Sequence, residues 1–126
     1  MMSLKPRISG FRMVSQGAMS MSISERYREL VVDVKAALAE MSGASGEEEG
    51  RELREVRKAA EGISELYEAV GEIPRIRLEG DLTPVLLKAH NQLDRARLLL
   101  EEQGAADRAA GIWELEQKIY RLLNDL

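Results

Sequence analysis

The single histidine of this chain, His90, stands in the run KAHNQLD with Asp94 four residues further on. On a helix four residues make one turn, so the imidazole and the carboxylate share a face. A carboxylate so placed can orient a histidine for proton transfer or join it as a metal ligand. No nucleophile and no second ligand set lies near the pair in sequence. There is no Glu-x-x-His, no His-Glu-x-x-His and no cysteine, so the bland reading, a boundary histidine beside an acid, stands ahead of the chemical one. Without cysteine, thiolate metal sites, iron–sulfur clusters, cysteine nucleophiles and disulfides are excluded, and no cofactor is expected.

Carboxylates at helical spacing offer a second chemistry. Glu49 with Glu52, and Glu65 with Glu68, are each three residues apart, and opposed pairs of this kind can hold Mg²⁺ against the phosphates of a nucleotide. In part they resemble the Glu-x-x-Glu of the all-α nucleoside triphosphate pyrophosphohydrolases, in which a Glu-x-x-Asp on a later helix completes the site. Here that later segment has Asn91 and Asp94, so its first carboxylate is missing. The resemblance implies Mg²⁺-dependent pyrophosphate hydrolysis as the alternative function. Glycine-rich phosphate loops are absent, because SGASGEEEG lacks a following lysine and its acidic triplet would repel phosphate.

The third constellation is a run of charge. Residues 51–70, RELREVRKAAEGISELYEAV, carry Arg51, Arg54, Arg57 and Lys58 first, then Glu61, Glu65 and Glu68, with Glu72 just beyond. A helix macrodipole favours the opposite order, by about 0.3 to 1 kcal/mol per exposed group, so intrinsic preference did not select it. Two copies laid antiparallel would set each basic half against the other's acidic half, the self-complementarity that a two-fold interface requires. Gly62 sits where the sign changes, beside Ala59 and Ala60, as if to let another helix backbone come close. The plainer account is a solvated face on which Glu52 and Glu55 neutralise the arginines. Arg54, Arg57, Gly62, Glu65 and Glu68 are the interaction residues this reading selects.

These residues need elements to hold them. Leu53, Val56, Ala60, Ile63, Tyr67 and Val70 recur at steps of three and four, which predicts a helix over 51–72 ending near Ile73-Pro74. An earlier helix is predicted from Ser22 and Glu25, a capping box, with Tyr27, Val31, Val34, Leu38 and Met41 inward. An exposed loop is predicted over 42–50. Residues 73–81 read as loop, with RIRLEG and RISGFRMV as weakly β-like pieces. A third helix is predicted from Thr83 as N-cap and Pro84 at the first helical position to a stop at Gly104, and a fourth from about Ala105 to the end. Four apolar stripes can hide only against one another or against another chain, which predicts an all-α four-helix bundle, or paired helical hairpins, over 23–126 behind an irregular tail at 1–22.

Composition sets the remaining limits. At 126 residues and 44% hydrophobic the chain has material for one modest core, and aromatics at 4% argue against an all-β fold. The net charge of −4 hides an asymmetry: Lys5, Arg7 and Arg12 stand in the first 24 residues with no acid, leaving 15 of the 18 basic side chains against all 22 acidic ones. An acidic body argues against nucleic acid. No apolar run reaches the roughly 20 residues of a membrane span. The chain is read as a soluble, cytoplasmic, non-catalytic helical subunit, coiled-coil-like in its seams, whose partner is another protein or itself.

Overall fold

The structure, a computed structural model, describes residues 21–45 and 49–126. Four helices form in chain order: α1, Ile23–Ser45; α2, Arg51–Ser64; α3, Arg75–Glu102; and α4, Ala106–Asp125, with a short 3₁₀ turn, Ala69–Glu72, between α2 and α3. Each helix packs on its neighbours in sequence, and α1 closes the ring against α4, while the backbones of diagonal helices stay apart. Ion pairs fix the directions. Arg26 meets Asp125 and Asp33 meets Lys118, both at 2.7 Å, so α1 and α4 run antiparallel. Glu55 with Arg95 at 3.4 Å and Glu52 with Gln103 at 2.9 Å do the same for α2 and α3. The result is an all-α, up-down-up-down bundle.

The core contains the apolar stripes of the four helices and adds Leu30, Ala59, Leu78, Leu82 and Ala109. Tyr27, Val31, Val34 and Met41 of α1, Leu53, Val56, Ala60 and Ile63 of α2, Leu86, Ala89, Leu93, Ala96 and Leu100 of α3, and Ile112, Leu115, Ile119 and Leu122 of α4 are all buried. Removing a side chain such as Leu93 or Ile119 from water contributes about 1.5 to 3 kcal/mol, so these seams stabilise the bundle. Leu38, Leu126 and Tyr67, which the spacing also predicts inward, are only partly buried at its margin.

The predicted helix ends hold at two places. The Ser22 hydroxyl accepts from the Glu25 amide at 3.1 Å, while the Glu25 carboxylate accepts from the Ser22 amide at 2.9 Å, the reciprocal capping box. Gly104 has φ +77°, its amide bonds the Glu101 carbonyl, and the Ala105 amide reaches the Leu100 carbonyl at 2.9 Å. That double closure is a Schellman turn, and it reverses the chain between α3 and α4.

Three predicted boundaries move. The first helix continues through Ser42 and Gly43 to Ser45 rather than ending at 41. The second stops at Ser64, not 72. The Ser64 hydroxyl donates back to the Ala60 carbonyl at 2.6 Å, and Tyr67 bonds Ser64 at 3₁₀ spacing. From α1 the Arg28 guanidinium then takes the Tyr67 and Glu68 carbonyls, at 2.7 and 3.0 Å, and lies 5.6 Å from the Tyr67 ring centroid. An arginine of another helix thus serves the carbonyls that a continuing helix would have bonded itself. The third helix begins at Arg75, eight residues before Thr83, and carries Pro84 inside it. Leu78 and Leu82 fall on the stripe of Leu86 and are buried with it, and Arg77 pairs with Asp81 one turn on at 3.1 Å. Burial of those two leucines outweighs the single hydrogen bond to Gly80 that Pro84 cannot make. RIRLEG is therefore helix, not a β-like piece. RISGFRMV and the tail lie outside the described residues.

Candidate functional site

On α2 the apolar stripe faces the core, so Arg54, Lys58 and Glu61 stand exposed on the opposite side, with Gly62 and Glu65 beside them. Arg54 donates to the Glu49 carbonyl at 3.3 Å, and Arg57 makes two bonds to the Glu49 carboxylate at 3.1 and 3.3 Å. Glu49 holds the Arg57 guanidinium protonated more firmly than usual, first through those hydrogen bonds. Glu65 is the residue at which α2 ends, and Glu68 lies past it, its carbonyl bonded by Arg28. The basic-then-acidic order therefore runs along α2 and on through the turn that follows.

Between α2 and α3 this face opens into a groove of about 480 Å³, lined by Lys58, Glu61, Gly62, Glu65, Lys88 and Gln92 among others. Among the described residues nothing from outside its own turn approaches Gly62: a Cβ there would meet no atom within 4 Å. The close helix crossing that a glycine suggests does not occur among the described residues. At the groove's edge Gln92 is only 7% exposed. Its carboxamide makes no side-chain hydrogen bond among the described residues.

A second polar feature lies on the other side of α3. His90, Asp94 and Arg97 project toward α4, where Glu116 is 1% exposed. His90 Nε2 stands 3.7 Å from Glu116 Oε1, and Arg97 Nε 3.4 Å from Glu116 Oε2, an oxygen left without a hydrogen bond. Burial pushes the Glu116 carboxyl up to about 7, helped by its hydrogen bond to Asp94 and that residue's charge and opposed by Arg97. Asp94 moves the other way, lowered chiefly by hydrogen bonds from Arg97 at 2.7 and 3.2 Å. Over this network lies Trp113, its ring 5.6 Å from the Arg97 guanidinium carbon and 48% exposed.

The sequence singled out His90 and Asp94 but not Glu116 or Gln92. The signal is helical phase: Ile112, Glu116 and Ile119, like Ala89, Gln92 and Ala96, step by three or four along the apolar seam, so each polar residue occupies a core position. The glutamate pairs fall apart in space. Glu49 turns to Arg57 and Glu52 to Gln103, while Glu65 lies 13 residues beyond Glu52, roughly 20 Å along a helix. Among the described residues no three His, Asp or Glu side chains are grouped to hold a metal ion, and no helix is long and apolar enough to cross a membrane.

Comparison of the chain with protein-family models, with curated proteins and with solved structures finds no match.

Proposed function

We propose that this protein is a non-catalytic helical assembly subunit that acts through protein–protein contact, its first partner being a second copy of itself. The observation that carries this reading is the order of charge on the outward side of α2 and the turn after it: Arg51, Arg54 and Lys58, then Glu61, Glu65, Glu68 and Glu72. Within one chain this order opposes the helix macrodipole. Against an antiparallel copy it pairs base with acid along the whole segment. Single exposed pairs contribute about 0.2 to 1 kcal/mol, so several aligned pairs would set register and orientation, with apolar contact supplying the remaining affinity. The reading places the protein in the cytoplasm, in keeping with a chain free of cysteine.

Sedimentation velocity on the whole chain tests it. The wild type is expected to sediment as a dimer or larger species that weakens as salt rises, and Arg54→Glu with Arg57→Glu to shift it toward monomer. A wild-type monomer at every concentration, or an assembly indifferent to the double reversal, would remove the proposal.

A further inference from the structure

We infer that the groove between α2 and α3 is the seat of the second copy, whose α2 crosses it antiparallel so that the two-fold axis passes near Gly62. The inference rests on the self-association proposed above and adds where, and through which residues, it occurs.

Three independent observations converge on this groove. The first is charge: its rim carries Lys58 and Lys88 together with Glu61 and Glu65, equal numbers of each sign. A two-fold rotation about a point beside Gly62 brings Lys58 of each copy toward Glu65 of the other, so the rim is its own complement. The second is shape. Gly62 leaves open space where any other residue would project, and Ala89 lies across from it on the same groove. A glycine in mid-helix lowers helix stability. Gly62 has no positive φ to require it, and no neighbour among the described residues crowds it, so the room suits an approaching helix.

The third is Gln92. Gln92 is more than nine-tenths buried and lines the groove; its carboxamide, with two donor hydrogens and an acceptor oxygen, keeps only a narrow opening to solvent there and finds no partner among the described residues. Buried polar groups are ordinarily hydrogen-bonded. A crossing α2 brings Lys58 before its own Gly62 and Glu65 after it, one donor and one acceptor. It can therefore satisfy the amide whichever way the amide is turned. Glu116, the other buried polar side chain among the described residues, already faces Arg97 and His90.

The chain has no cysteine, so a single introduced thiol reports its own symmetry mate. Gly62→Cys, treated with a short bis-maleimide, should cross-link to covalent dimer in high yield, while Gly111→Cys, on the far groove between α1 and α4, should stay monomeric. Gln92→Leu should keep the helical circular dichroism of the wild type yet raise the dimer dissociation constant tenfold or more, and Gly62→Leu should do the same. If the wild type sediments as a dimer but Gly62→Cys fails to cross-link, and both leucine variants keep wild-type affinity, the seat is elsewhere and only this inference falls. If the wild type is monomeric, the inference falls together with the function on which it rests.

Discussion

The hydroxyl of Tyr27, at the first buried turn of α1, donates to the carbonyl of Ile63, next to last in α2, across 2.7 Å. The bond ties the start of one helix to the end of the next, and Arg28 adds its own bonds to Tyr67 and Glu68 beside it. Both ring and hydroxyl are buried, and burial, with Glu65 adding to it, pushes the phenol's pKa well up, so it remains a donor at any ordinary pH. Tyr27→Phe leaves a buried carbonyl without its donor, which costs about 1 to 3 kcal/mol. Urea unfolding should show a lower midpoint with an unchanged slope. A midpoint equal to wild type would mean that the carbonyl finds water or another donor.

Glu116 makes stability depend on pH. Its folded-state carboxyl, pushed up to about 7, holds a proton more tightly than the unfolded chain, where a glutamate titrates near 4.5. This group's contribution is therefore fully present below pH 4.5, is lost as pH rises toward 7, and is level above that. Asp94, lowered by Arg97, acts in the opposite sense and only at more acidic pH. Glu116→Gln keeps the volume and a donor toward Asp94 but cannot ionise, so at pH 8 it should exceed the wild type by on the order of 2 to 3 kcal/mol, with the gap closing by pH 5. Thermal unfolding of both proteins at the two pH values checks this. A wild type level from pH 5 to 8 would contradict it.

Two glycines should answer the same substitution with opposite signs. Gly104 holds φ +77° in the turn between α3 and α4, where an L side chain is strained, so Gly104→Ala should destabilise by about 1 kcal/mol. Gly62, helical and uncrowded, should tolerate alanine and gain about 0.5 to 1 kcal/mol in the dilute monomer. Calorimetric melting temperatures moving apart in this way would confirm the assignment, and a loss in Gly62→Ala would show a constraint on that position within the chain.

The elements legible in the sequence were those whose signals are local. The Ser22–Glu25 capping box and the Gly104 turn each depend on contacts only a few residues apart, and they form as read. Two of the three misplaced boundaries depend on partners far along the chain. Proline at 84 has the marks of a helix start, yet burial of Leu78 and Leu82 against the rest of the bundle carries α3 back to Arg75. The end of α2 is set by Arg28, 36 residues before Ser64, and no local pattern encodes that meeting. In the polar features the sequence showed His90 and Asp94 because histidine is rare here. It left Glu116 among many glutamates, although its place on the stripe of Ile112 and Ile119 marks it as buried.

The most direct test of the central claim separates the two halves of the α2 charge order and recombines them. One variant carries Arg54→Glu, Arg57→Glu and Lys58→Glu, the other Glu61→Lys, Glu65→Lys and Glu68→Lys. Measured by sedimentation equilibrium, each alone should be monomeric, while an equimolar mixture should form a one-to-one heterodimer at least as tight as the wild-type dimer, because like charges no longer face one another. A mixture that remains monomeric beside a dimeric wild type, or either variant dimerising alone as the wild type does, would contradict antiparallel self-association through α2.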